Sequence, residues 1–219
     1  MNIHSIFNFI SPIFRKQRFA QFQKAVAPEI EERVLDVGGY PGTWTMFPPC
    51  VKSIDILNVH EIDFDPTSKP EYGIRTQVGD GCALQAAEKS YDIVFSNSVI
   101  EHVGTWERQQ QFAEEIRRVG GRLWVQTPAH EFFIEPHYIA PFVHWLPKSL
   151  RGKLVRWVTP WGWLVRPNKK QVADRLDEIR LIRYGEMKAL FPDCEILRER
   201  FCGVFTKSYI AFRGYDAAC

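Results

Sequence analysis

The sequence predicts an open α/β fold, a mostly parallel twisted sheet with helices on its faces. Three observations lead there. Between residues 33 and 126, short apolar runs alternate with helical stretches, the pattern that builds parallel strands through right-handed crossovers. Near the end, two strand-like runs are joined across Cys202-Gly203, which reads as an antiparallel hairpin. Between these regions, residues 130–170 interrupt the alternation with clustered His, Phe, Tyr, Trp and Pro.

The elements follow in order. Residues 13–27 read as a helix, because Phe19, Phe22 and Val26 recur at helical spacing. Strands are expected at 33–37, 51–56, 74–78, 91–95 and 122–126, each a short apolar run. A helix over 105–119 carries Phe112, Ile116 and Val119 on one face, with Gly120-Gly121 as its stop. A weaker helix is expected over 82–89, and Asp92 reads as a structural acid at the fourth strand. The hairpin strands fall at 195–200 and 204–212. At 219 residues the chain fits one domain, 1–219, with 1–30 as a helical cap and 130–180 as an aromatic insertion after the fifth strand. That insertion falls at the carboxyl edge of the sheet, where open α/β folds bind ligands, so it is a candidate substrate lid.

Composition excludes some classes. Lys plus Arg number 28 against 26 Asp plus Glu, a formal net charge of +2, which leaves a local basic patch open and decides little; nucleic acid is disfavoured as a partner because no recognised binding module is legible. The five cysteines, Cys50, Cys82, Cys194, Cys202 and Cys219, are scattered with no C-x-x-C pair, which argues against a disulfide framework or a structural zinc. No run of 18 apolar residues is present. The apolar start of the chain, interrupted by Pro12, has its bases Arg15, Lys16 and Arg18 after it rather than before it. That is the wrong order for a secretory signal, so a cytoplasmic location is expected.

The strongest local signal is Val34-Leu35-Asp36-Val37-Gly38-Gly39-Tyr40-Pro41-Gly42, a strand ending in a glycine turn that lets a ligand approach the backbone. Read from Gly38, the dinucleotide pattern G-x-G-x-x-G finds Tyr40 and Thr43 at its second and third glycine positions, so nicotinamide and flavin cofactors are disfavoured. The proline pair Pro48-Pro49 allows only a very short following helix, a poor seat for pyrophosphate. Three acids end strands at this edge: Asp36, Asp55 and Asp80, the last in Gly79-Asp80-Gly81. Such acids suit ribose hydroxyls, an adenine amine and an ammonium group, which together describe S-adenosylmethionine.

Here the sequence resembles the class I S-adenosylmethionine-dependent methyltransferases, the small-molecule type 11-like members in particular. The blocks VLDVGGYPG, SIDI, VGDG and YDIVFSNSVIEHV stand in the family's order, and the D-V-G-G-x-P-x-x-W loop and E-P-H-x-x-x-P-F-x-H-W-L-P segment are similar to a bacterial subgroup. The resemblance implies a Rossmann-like sheet, S-adenosylmethionine as cofactor and S-adenosylhomocysteine as product. It implies contacts from Asp36, Gly38, Gly39, Tyr40, Gly42, Asp55, Ile56, Asp80, Gly81, Ser96, Asn97 and Ser98. Tyr40 stands where the family has its middle glycine, so the turn must differ locally.

The acceptor implied is a small molecule, a hydroxyl of a glycan, lipid-linked or aromatic compound, for which a general base matters most. His102 is the first candidate, His137 the second and His130 the third. No compact carboxylate cluster is legible, so no metal is expected. Residues 148–170 mix Lys148, Arg151, Lys153, Arg156, Arg166, Lys169 and Lys170 with Trp157, Trp161 and Trp163, which reads as a helix over a lid or as a peripheral contact with anionic lipid. Two further classes stay open: a non-catalytic cofactor-binding scaffold on the same fold, and a membrane-surface interaction protein.

Overall fold

A computed structural model describes residues 3–63 and 73–215, with side chains described from residue 15 onward. Cys219 and the side chains of the apolar start lie outside the described residues.

Helix α1 (Ile3–Val26) leads into β1 (Arg33–Val37), the short α2 (Pro41–Met46), β2 (Ser53–Asn58), β3 (Gly73–Val78) and β4 (Tyr91–Asn97). A 3-10 turn (Ile100–His102) precedes α3 (Trp106–Val119) and β5 (Gly120–Pro128). The insertion holds β6 (Ile134–Glu135), β7 (Ala140–Pro141), a second 3-10 turn (Val143–Trp145), α4 (Lys148–Val158), α5 (Pro160–Val165) and α6 (Lys169–Glu178). Helix α7 (Tyr184–Leu190) and the hairpin β8 (Glu195–Phe201) and β9 (Phe205–Arg213) complete the order.

The main sheet runs β3-β2-β1-β4-β5-β9-β8, parallel except where β9 pairs antiparallel with β5 and β8. This is the expected α/β architecture, hairpin included. The three-residue loop 202–204 turns tightly because Cys202 and Gly203 both take positive φ, 49° and 72°, and Val204 N donates to Phe201 O at 3.2 Å. One face of the sheet is covered by Phe19, Phe22 and Val26 of α1, which pack with Trp44, Phe95 and Trp124. The other face receives Phe112, Ile116 and Val119 of α3 together with Met187 and Leu190 of α7. Both stripes read from the sequence are core.

Strand ends shift by one or two residues from expectation, and β5 takes in Gly120-Gly121, expected as the stop of α3; three differences go further. Helix α1 begins at Ile3 and passes through Pro12. Strand β2 lies two residues later than expected, at Ser53–Asn58. The helix expected over 82–89 is absent, because side chains of neighbouring elements take its backbone groups. Asp80 Oδ1 accepts from Cys82 N, and Glu115 Oε2 accepts from Leu84 N. Arg118 of α3 donates to the carbonyls of Leu84 and Ala86. Lys89 N is committed to Arg118 O at 2.9 Å and Lys89 takes φ 50°, so the segment is held to α3 as turns.

The insertion has its own apolar cluster of Tyr138, Val143, Val155, Val172 and Leu176 among others. Its two ends meet: Ala129 bridges Ile182, and His130 N donates to Ile182 O at 3.0 Å. No helix among the described residues is long and apolar enough to cross a membrane.

Candidate functional site

A cavity of about 500 Å³ opens at the carboxyl edge of the parallel strands. Gly38 and Tyr40 line it from the loop after β1, Asn58, Val59 and His60 from the end of β2, and Asp80 and Gly81 from the loop after β3. Ser98, Val99 and His102 enter after β4, Arg108 and Phe112 from α3, and Glu178 from the end of α6. The strands fix these positions, because adjacent β-ends in a parallel sheet deliver their loops to one edge.

The loop explains its own glycines. Gly38 has φ +80°, and a Cβ there would meet Val99 at 2.5 Å. At Gly39 a Cβ would fall on the Asp36 carboxylate, 1.7 Å away. Gly42 lies in α2, where a Cβ meets nothing within 4 Å, and outside the cavity lining. Tyr40, 61% exposed, stands at the cavity wall.

Several residues expected at the ligand are elsewhere. Asp36 is buried beneath the loop, where Oδ2 accepts from Trp44 Nε1 at 2.7 Å, and burial pushes its carboxyl up to about 7. Asp55 is corrected most plainly. Its Oδ2 accepts from Tyr91 Oη at 2.8 Å and lies 3.4 Å from the Arg33 guanidinium. Those partners begin β4 and β1, so the carboxylate sits toward the amino end of the strands, opposite the cavity. Ile56 is wholly buried in the core. Asn58, missed by the sequence reading, holds the true end of β2, and its Nδ2 donates to Gly39 O at 3.3 Å. Ser96 Oγ donates to Val37 O, inside the sheet. Asn97 turns to the α1 side and accepts from Arg18 at 2.8 Å. Ser98, with φ 58°, reaches the cavity and donates to Gln126 Oε1 at 2.9 Å.

Asp80 is at the cavity as expected, with both oxygens near Arg108 Nη2, at 3.0 and 2.9 Å. The Cys82 N–H, and then Arg108, hold its carboxyl below the usual range.

At the mouth, two candidate bases meet. His102 Nε2 lies 3.1 Å from His137 Nε2, the rings at 89°. Glu135 Oε1 is 2.6 Å from His137 Nδ1, and its Oε2 accepts from Tyr138 N. Glu178 Oε1 is 3.3 Å from His102 Nδ1. Burial and the facing His137 hold the His102 ring below the usual imidazole range, with Glu178 opposing. The adjacent Glu101 is wholly buried, accepts from Thr127 Oγ1 at 3.0 Å, and is pushed up to about 7 by burial. No metal is expected from the sequence, yet Glu101, His102 and His137 each offer a ligand atom within 4.8 Å of the others.

His130 stands apart. It lines a smaller cavity of about 110 Å³ with Tyr138, His144 and Arg151, and burial and Arg183 lower its pKa.

Residues 35–125 match the methyltransferase domain family. Among curated proteins, none matches the sequence. A putative sarcosine dimethylglycine methyltransferase from Galdieria sulphuraria is similar, with TM-score 0.52 and 17% identity over 88% of this chain and 63% of that one. A structure titled a putative Zn-dependent alcohol dehydrogenase from Rhodobacter sphaeroides gives TM-score 0.59 and 10% identity, covering 90% of this chain and 88% of that one. Phosphoethanolamine N-methyltransferase 2 from Haemonchus contortus, in complex with S-adenosyl-L-methionine, gives TM-score 0.52 and 15% identity over 84% of this chain and 38% of that one. These likenesses establish a shared fold. The chain spans less than two thirds of the Galdieria and Haemonchus proteins.

Proposed function

With a class I S-adenosylmethionine-dependent methyltransferase domain in residues 35–125, we propose that the chain moves a methyl group from S-adenosylmethionine to a hydroxyl of a small molecule. The observation that carries this reading is the cavity lined both by the glycine loop and by His102, against which His137 packs at 3.1 Å. Cofactor-sized space lies on one side of it and proton-accepting groups on the other.

The residues present fit the cofactor. Gly38 and Gly81 put no side chain into the wall, where a Cβ at either would collide with its neighbours. Asn58 and Asp80 close the ends of β2 and β3 with polar groups suited to a nucleoside. Gly38, Tyr40, Asn58, Asp80, Gly81 and Ser98 would hold it, and when bound it supplies an electrophilic methyl on a sulfonium. The cavity's size falls within the range of small-molecule sites.

The chain's own contribution is positioning, exclusion of water and proton removal. Insertion residues 130–180 act as a lid, bringing His137 and Glu178 onto His102. An acceptor hydroxyl at the mouth would give its proton to the imidazole–carboxylate group, a contribution of roughly 10²–10⁴-fold. Alignment in a closed site can supply about 7–11 kcal/mol.

A lipid-linked acceptor is favoured by one more observation. Trp157 and Trp163 are 68% and 60% exposed, next to exposed Val158, Leu164 and Val165. Arg156 lies over the Trp157 ring at 5.1 Å. Bases with solvent-facing tryptophans suit an anionic membrane surface.

Calorimetric titration of the wild type with S-adenosylmethionine and S-adenosylhomocysteine tests the reading. Micromolar binding, weakened about tenfold by Asn58→Ala, is expected. A folded protein that binds neither ligand would instead favour the non-catalytic scaffold.

A further inference from the structure

The His102–His137 pair is built in a way that proton transfer does not require. Glu135 Oε1 at 2.6 Å fixes His137 Nδ1 as an N–H donor, which leaves the lone pair on Nε2. Glu178 Oε1 lies 3.3 Å from the other ring nitrogen of His102, Nδ1. The two Nε2 atoms face each other at 3.1 Å: with His137 Nε2 an acceptor, His102 Nε2 either donates a proton to it or, with its proton on Nδ1, turns a second lone pair to the same point, an arrangement that suits a cation between them. Carboxylates behind ligating imidazoles are the usual outer partners of a metal-binding histidine.

Glu101 supplies the independent observation. Its side chain is wholly buried, one oxygen accepts from Thr127, and Oε1 has no hydrogen-bond partner among the described residues. A carboxylate oxygen buried without a partner is costly. One carboxylate oxygen of Glu101 and one nitrogen from each histidine lie within 4.8 Å of one another. Zn–N bonds of 2.0–2.1 Å at tetrahedral angles put two imidazole nitrogens about 3.3 Å apart, close to the spacing already present.

We propose that Glu101, His102 and His137 bind one divalent transition-metal cation at the mouth of the cavity. Two imidazoles and one carboxylate suit zinc, cobalt or iron better than magnesium, which prefers an all-oxygen shell. Three protein ligands leave coordination open toward the cavity, where an acceptor's oxygen could be held. That role rests on the methyl-transfer reading and takes the place of proton transfer to the two imidazoles, whose lone pairs the cation would hold; binding of the cation does not rest on it.

The test is a titration of the chelator-treated full chain with cobalt(II), read by visible d–d absorption, and with zinc by competition. One cobalt per chain with a tetrahedral or five-coordinate band is expected. His137→Ala should weaken binding at least tenfold, as should Glu101→Gln, and Glu135→Gln should weaken it 10- to 100-fold. If the buried Glu101→Gln chain fails to fold by circular dichroism, His137→Ala in the insertion's turn still decides. A wild type that shows no band, or affinity unchanged in His137→Ala, overturns the proposal. A parallel S-adenosylmethionine titration of the metal-free protein separates the readings: cofactor binding without cobalt binding removes only the metal site.

Discussion

Asp36 and Asp55 are both buried carboxylates on adjacent strands, and their partners give them different work. Among the described residues Asp36 has the Trp44 indole as its side-chain partner, and burial raises its carboxyl to about 7 against an ordinary value of 3.8. The folded chain then holds a proton that the unfolded chain has lost between those values, so Asp36 makes stability fall as pH rises from about 4 to about 7. Asp36→Asn keeps an acceptor for Trp44 and removes the titration. Its thermal midpoint, compared with wild type at pH 5 and pH 8, should depend less on pH. Asp55 instead ties Tyr91 to Arg33 at the amino end of the sheet. Asp55→Ala should lower the thermal midpoint and leave S-adenosylmethionine affinity within twofold, the reverse of Asn58→Ala. A large affinity loss in folded Asp55→Ala would place the ribose contact back on Asp55. The acid was legible as an acid, but its place depended on where β2 ends. Apolar Val51 made the run look as if it started and finished two residues early.

At the scale of elements, periodicity identified what burial dictates. The stripes of α1 and α3 could be read because each must cover one sheet face, and Phe22 is packed edge-on against Trp44, Phe95 and Trp124. Phe22→Ala should therefore destabilise by about 3–5 kcal/mol in urea unfolding. Segment 82–89 misled because Ala83, Leu84, Ala86 and Ala87 are good helix formers, whereas the deciding groups, Glu115 and Arg118, lie some thirty positions away. Arg118→Ala should free the carbonyls of Leu84 and Ala86 and loosen the segment. Faster proteolytic nicking of that loop, with α3 intact by circular dichroism, would show it.

Across the whole molecule, the parallel sheet edge, the glycine loop and Asp80 follow from chain order, and the sequence reading reached them. The mouth of the cavity does not follow from it. His137 is 35 residues from His102, and Glu178 arrives from the far end of the insertion. That approach is set by the β6–β7 turn, where Glu135 holds His137, and by its shared apolar cluster with α4 and α6. Helices α4 and α5 present Trp157 and Trp163 outward. Co-sedimentation with vesicles rich in phosphatidylserine should retain the wild type at low salt and release it as salt rises, while a Trp157→Glu, Trp163→Glu double variant should stay in the supernatant. Equal recovery of both from the pellet would remove the lipid reading.

The bridge between Ala129 and Ile182 has a consequence for how such a protein can change. Because the two ends of the segment already touch, exchanging it for another of different length alters little of the closure entropy that the rest of the chain must bear. Of the groups that line the large cavity, only Glu178 belongs to that segment. Under the proposed function, the insertion and the sheet edge are separable stretches of sequence, so one could be traded away while the other is kept.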